Sequence, residues 1–249
     1  MLVILSFPFG AIAAGIDAED GSRRMEVREA RAALAVRSSA KPPTTVDCQE
    51  RGSLQEAVDK SESGALIEVR GICAENVVVI RKDLLLRGAD PAADGVRGPA
   101  AGSASLRVRQ GTVVIENLSF SGGGGTGISA EDALVFCEGC DLIGNAGPAA
   151  LAHRGAAVSL LASTVQGQHG IRASLGGYVD VDCINTTSTH PCGLEATGIA
   201  LRAINGATAA VLGTGPFTGA VQALIRSSVD LYGASQISAG TPGSGPPRN

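Results

Sequence analysis

From Leu106 to Ile237 one short apolar-alternating segment recurs about six times: Leu106-Arg-Val108-Arg, Ile128-Ser-Ala130-Glu, Leu151-Ala-His153-Arg, Ile171-Arg-Ala173-Ser, Ile199-Ala-Leu201-Arg and Ala223-Leu-Ile225-Arg. Successive copies begin about 20 to 28 residues apart. A period of that size, with no helical pattern inside it, means stacked coils, because one coil cannot bury its apolar side alone and must lay it on the next. A second strand follows the first in each coil: Val113-Val-Ile115, Val135-Phe-Cys137, Val158-Ser-Leu160, Val179-Asp-Val181, Ala209-Ala-Val211 and Val229-Asp-Leu231. Two residues later stands a small or amide residue, Asn117, Gly139, Ala162, Cys183, Gly213 or Gly233. These are residue types that accept a left-handed corner or stack amides. The expected fold is all-β: a single-stranded right-handed parallel β-helix, a solenoid of about seven to nine coils, with a short N-terminal capping helix.

The chain reads as four stretches. Residues 1–14 form an apolar run ending in small residues, which reads as a secretory leader cleaved near Ala14; the competing reading is a buried N-terminal strand. Residues 15–44 are charged and Ala-rich, end at Pro42-Pro43 and read as a flexible linker with a frayed helix over 24–36. Residues 45–238 form the β-helix domain, opened by a helix over Ser53–Lys60 with Ser53 as N-cap and Glu56 completing a capping box. Residues 239–249, rich in Gly and Pro, read as a disordered tail. No stretch approaches the ~18 apolar residues of a transmembrane helix.

Six cysteines fit an oxidising, extracytoplasmic setting, secreted or periplasmic. Local pairing predicts Cys48–Cys73, Cys137–Cys140 and Cys183–Cys192. Longer pairing is disfavoured: Cys137 and Cys183 sit two coils apart, about 10 Å, beyond disulfide reach. The rival for the Cys137/Cys140 pair is a zinc site, but His153, His169 and His190 lack paired ligand spacing.

Residues 53–88 carry a more specific likeness. Ser-Leu-Gln-Glu-Ala-Val (53–58), then Gly64, then Ala-Leu-Ile-Glu-Val-Arg-Gly-Ile-Cys-Ala-Glu-Asn-Val-Val-Val (65–79) and Lys-Asp-Leu-Leu-Leu-Arg-Gly (82–88) resemble the first coils of right-handed parallel β-helix proteins of the pectin-lyase-like superfamily. The resemblance spans residues 44–238. It implies the fold and leaves activity open, since the superfamily holds lyases, hydrolases, esterases, tailspikes, adhesins and inert scaffolds. The catalytic sets of its best-known enzymes do not match. The chain has no Trp, Asn185-Thr186-Thr187 lacks a carboxylate, no two Asp are adjacent, and Gln168-His169-Gly170 precedes Asn185 instead of following it.

A net charge of −4 and 3% aromatic residues exclude general nucleic-acid affinity, which needs clustered cations or stacking platforms. Between Ser105 and Ala239 there is no Lys and there are six Arg: Arg107, Arg109, Arg154, Arg172, Arg202 and Arg226. All fall in first strands at outward positions, and Arg109, Arg154, Arg202 and Arg226 align in the copies above. At ~4.8 Å per strand this is a basic stripe about 25 Å long. Guanidinium forks suit carboxylates and sulfates, so an acidic polysaccharide is the partner it would take. Solvated decoration is the competing reading, because Glu131 interrupts the stripe and nine acidic residues share the segment.

For catalysis, His169, Arg172 and Asp182 are the candidates. His169 would be the base that takes the proton next to a carboxylate of the substrate, with Arg172 and Arg154 clamping the resulting enolate. The competing reading has His169 capping a corner and Asp180 and Asp182 as outward solubilising groups. These two carboxylates are also too few to hold calcium alone, so no cofactor or metal is expected. The favoured expectation is a secreted, monomeric, non-catalytic binding or scaffold module. A polysaccharide lyase or hydrolase and an end-to-end adhesin or assembly component are the alternatives, the helix and polar tail acting as caps against the latter.

Overall fold

The structure, a computed structural model, describes Glu29 and residues 32–34, 42–99, 102–122, 124–184, 190–213 and 216–232. The expected leader, most of the 15–44 segment and the 239–249 tail lie outside the described residues. The chain forms a parallel β-solenoid of about eight turns, 58% strand and 6% helix.

One nine-stranded parallel sheet is built from β1 (Thr44–Asp47), β2 (Ala65–Arg70), β5 (Leu84–Arg87), β8 (Thr112–Glu116), β11 (Leu134–Glu138), β13 (Ala157–Leu161), β15 (Tyr178–Asp182), β17 (Thr208–Leu212) and β19 (Ser228–Tyr232). It contains the expected second strands, in the expected register. Val113, Val135, Val158, Val179, Ala209 and Val229 lie in one column, and Ile115, Cys137, Leu160, Val181, Val211 and Leu231 in the next. β-Branched residues fit a pleated surface buried on its inner side, so each column fills one layer of the core. The corner after this sheet takes positive φ at Asn117, Gly139, Ala162 and Gly213, as the residue types predicted, but not at Cys183; Gly233 lies outside the described residues.

A second sheet of ten strands covers the rest of each coil. Early coils contribute separate short strands to it: β3 (Ile72–Cys73), β4 (Val77–Ile80), β6 (Gly95–Arg97), β7 (Leu106–Arg109), β9 (Ser119–Ser121) and β10 (Ile128–Glu131). In later coils the two short strands fuse across a bend into single long ones, β12 (Asp141–His153), β14 (Thr164–Ser174), β16 (Gly193–Ile204) and β18 (Phe217–Leu224). Its core column is Leu106, Ile128, Ala150, Ile171, Leu201, Val221. The aligned first strands are therefore corrected at three places: Leu151 moves by one residue, and Ile199 and Ala223 by two. The side-chain period is two, so a one-residue slip turns a whole strand inside out.

The helix α1 (Leu54–Lys60) lies across the first coils with Leu54 and Val58 buried. Ser53 accepts from the Glu56 N–H at 3.1 Å, as a cap should. The reciprocal carboxylate is not Glu56, which pairs with Lys60, but Glu75 from the next corner. Glu75 accepts from Ser53 Oγ at 2.9 Å and from the Leu54 N–H at 2.6 Å. Cys48–Cys73, Cys137–Cys140 and Cys183–Cys192 are bridged, with Cα separations of 5.1, 6.1 and 5.6 Å. The zinc alternative for Cys137 and Cys140 falls with their bridging. The same holds for Cys48, Cys73 and Glu75, whose ligand atoms cluster but whose sulfurs are bonded to each other.

The outer side of the nine-stranded sheet is not a solvent face. Leu85, Val114, Phe136, Ala157, Leu161 and Tyr178 form a second buried cluster there with Leu34, which lies on a helical stretch of residues 32–34.

Candidate functional site

The bend in the long strands is where the second sheet opens. Register shifts interrupt the ladder between Ile143 and Pro148, between Gly167 and Ile171, and between Glu195 and Leu201. Extra residues there leave the pairing and widen the corner, a place where bulges commonly re-aim side chains. Glycine is required at the bend for close approach: a Cβ on Gly170 would sit 2.2 Å from the Ala200 carbonyl oxygen, and one on Gly198 2.8 Å from that of Gln168. The result is a cavity of about 260 Å³ walled by Gly147, Pro148, Ile171 and Ile199, with His169, Arg172 and Arg202 on it.

Arg172 and Arg202 are register partners on neighbouring strands. Two guanidinium groups therefore share one opening, and none of the residues that line it is acidic. The Nε of each is buried and has no hydrogen-bond partner among the described residues. Burial, and after it the neighbouring Arg202 charge, holds Arg172 below the ordinary arginine range. An arginine stays cationic regardless, so the pair is a partly buried, self-repelling positive site that an anion would relieve. His169 lies on the bulge opposite Pro148 and faces the same cavity.

The other expected arginines are placed differently. Arg109 and Arg154 do not continue the pair. Arg109 Nε lies 3.1 Å from Glu131 Oε2, and Arg154 Nη1 bonds the other oxygen of the same carboxylate. Arg154 sits in a corner at φ 53°, beyond the end of its strand, and Arg226 in a corner at φ 54°. Arg81 Nε donates to Gln110 Oε1 at 2.8 Å. Arg81, Arg109, Gln110 and Arg154 line a second opening of about 380 Å³, with Glu131 and Asp132 on its wall. Arg107 occupies the same register position as Arg172 and Arg202, but Ser129 and Leu151 stand between. The straight stripe is thus replaced by two clusters, one paired with a carboxylate and one not, with Arg107 and Arg226 in neither.

The proposed catalytic set is divided between sheets. Asp182 belongs to β15, in the nine-stranded sheet, and not to the cavity. It is 3% exposed and accepts from the Ile184 N–H at 2.9 Å, so it shapes the corner that Cys183 closes. Asp180 is 1% exposed beside Ser159 and Ala210. The expectation that both aspartates solubilise the surface is corrected: they point outward from their strand, but that side of the sheet is covered. His153 Nδ1 lies 2.9 Å from Ser174 Oγ, and His190 Nε2 lies 3.0 Å from Asp141 Oδ1. Neither joins His169. Sequence reasoning missed Pro148 and Ile199 as cavity walls; the cue was glycine near the bend of successive coils, Gly147, Gly170 and Gly198.

No protein-family model matches the chain, and no curated protein does. Among solved structures, an alginate lyase from Paenibacillus sp. str. FPU-7 matches at 13% identity with a TM-score of 0.26, over 79% of this chain and 99% of that one. No residue role is carried over from it. Among the described residues, no helix is long and apolar enough to cross a membrane.

Proposed function

We propose that the protein is an extracytoplasmic β-solenoid module that binds an acidic polysaccharide, and that Arg172 and Arg202 receive one of its carboxylate or sulfate groups. The observation that carries this reading is the pair of adjacent guanidinium groups, each with a buried Nε lacking a partner, on a cavity without an acidic side chain. Two donors converging on one anion are individually modest and together specific, and the low-polarity walls at Pro148 and Ile199 strengthen both. Three disulfides support the extracytoplasmic setting. We take the binding mode as docking rather than turnover, since Asp182, the third residue of the expected catalytic set, lies on the other sheet, and Arg154, the expected second clamp, pairs with Glu131 away from His169.

Calorimetric titration with oligouronates and sulfated glycans tests this, with ultraviolet absorbance followed in parallel. Salt-sensitive binding that weakens by about 10- to 100-fold in Arg172→Gln is the expected result. Rising absorbance from unsaturated uronate ends, abolished by His169→Ala, would replace docking with a lyase reaction. Binding unchanged by Arg172→Gln would sink the site altogether.

A further inference from the structure

The chain has three histidines, and one is held differently from the others. His153 pairs with Ser174 and His190 with Asp141. Among the described residues no hydrogen bond fixes the ring of His169, which is half-buried and faces the cavity of Arg172 and Arg202. It stands on β14 with Pro148 of β12 as its register partner. On its other side, a Cβ placed on Gly198 of β16 would lie 3.8 Å from His169 Nδ1, so glycine there leaves the ring room against the neighbouring strand. The charged groups around it are few. Arg172 comes from its own strand and Arg202 from β16, while β12 contributes Ala146, Gly147 and Pro148, none of which titrates. The carboxylates of these strands lie outside the cavity. Glu195 Oε2 on β16 accepts from Gln166 Nε2 at 3.3 Å, and Asp141 on β12 is the partner of His190. A charged imidazole in the cavity therefore meets an anion only when a ligand brings one.

We propose that His169 is the third ligand of the anion seated on Arg172 and Arg202, and that it takes up a proton when that anion binds. This rests on the docking reading above and gives the same site a pH dependence. The charged imidazole donates from both ring nitrogens, whereas the neutral ring donates from one. Histidine is the side chain whose charge changes between about pH 5 and 8. The complex then holds more protons than the free protein. By linkage, affinity rises as pH falls through that range and levels off beyond either end of it. The sign separates this role from proton abstraction: a base must be neutral, so its reaction gains as pH rises.

Calorimetric titration of the full chain with a galacturonate trimer and with a sulfated disaccharide tests the proposal. The carboxylates and sulfates of both probes stay ionised across the range used. Affinity should rise about 10-fold from about pH 8 to about pH 5.5, within the usual size of a coupling between two bound species. Buffers of different ionisation heat should reveal uptake of about half a proton at its maximum, which a 10-fold coupling requires. His169→Gln should abolish the uptake and hold affinity near the value at high pH, while His153→Gln and His190→Gln should keep both effects. If the His169→Gln protein does not fold, proton resonance of the unmodified chain decides: the bound probe should raise the titration midpoint of one imidazole by about one pH unit, and that signal should survive in His153→Gln and His190→Gln. Binding that weakens in Arg172→Gln but takes up no proton would overturn the proposal and leave the docking reading standing. Uptake that persists in a folded His169→Gln protein would overturn it as well. Failure of both probes to bind at any pH would overturn the two together.

Discussion

Arg109, on the sheet that carries Arg172 and Arg202, and Arg154, in a corner at its border, have prospects opposite to those of that pair. The first pair divides one carboxylate, Glu131, in a well-exposed setting: the Arg109 and Arg154 side chains are 46% and 60% exposed. Water and Glu131 already satisfy those charges, and exposed pairs of this kind contribute little either way. The second pair has no carboxylate on its cavity, buries its Nε atoms and pushes one guanidinium against another. Six arginines along a solenoid therefore do not make six equal contacts. What separates them is whether a neighbour in the register is an acid or another base.

The largest break in this comparison comes from removing the bend itself. Gly170→Val should destabilise the protein by about 3 kcal/mol, the upper range for overpacking, because its Cβ meets backbone and not a movable side chain. Thermal unfolding would show the loss. Binding would fall with it, while the Glu131 carboxylate, two strands away, keeps its local geometry. A Gly170→Val protein as stable as its parent would mean that the bend has slack and that the cavity shape is not fixed by it.

Next in size is the cation pair. Arg172→Gln or Arg202→Gln should each weaken binding of an acidic oligosaccharide by about 10- to 100-fold, the range for a charge-assisted hydrogen bond at a desolvated site. Folding should be unharmed. Arg172→Gln removes a guanidinium disfavoured first by burial and then by the Arg202 charge, so the melting temperature should stay level or rise slightly. A fall in stability equal to that of Gly170→Val would make the arginine a structural member and not a docking group.

The two sheets also differ in how plainly the sequence announces them. In the nine-stranded sheet the strands are five residues long from β8 onward and separated by tight corners, so Val113, Val135, Val158 and Val179 align without gaps. In the other sheet a bend of varying length lies inside each coil. Alanines take inward positions at Ala130, Ala152, Ala173 and Ala203, while Leu151 stands outward. Hydrophobicity then points to the wrong residue, and a shift of one or two places scatters Arg172 and Arg202 into different rows. Burial of Asp180 and Asp182 was hidden for another reason. Alternation tells which way a side chain points, not whether something covers that side, and Leu34 with its cluster is far away in sequence. The disulfides were legible because coil spacing limits which sulfurs can meet.

Glu131→Gln would sharpen the comparison by converting the paired set toward the unpaired one. Releasing Arg109 and Arg154 leaves them, with Arg81, on an opening of about 380 Å³ whose wall then keeps Asp132 as its acid. Binding of a long acidic polymer should strengthen a few-fold and become more salt-dependent, whereas a short oligomer seated at Arg172 should bind as before. Stability should move by less than ~1 kcal/mol, as for other surface ion pairs. An equal gain for short and long ligands would place both sets in one continuous site.

The smallest effect is expected at Arg154 itself. Its carbon stem crosses a corner held by backbone hydrogen bonds, including the Asp132 N–H to the His153 carbonyl at 3.4 Å, so the corner does not depend on the side chain. Arg154→Gln removes a charge that Glu131 already neutralises, and Arg109 remains to pair with that carboxylate at 3.1 Å. Affinity for a short acidic oligosaccharide should change less than about two-fold and stability by roughly 0.5 kcal/mol or less. Combining it with Glu131→Gln should then cancel most of the gain that the glutamine alone confers on long polymers. That non-additivity, read from a double-mutant cycle, would show that Arg154 acts only when its acid is taken away. Additive effects would mean that the two side chains reach the polymer independently, and the distinction between paired and unpaired arginines would fail at the residue where it should hold best.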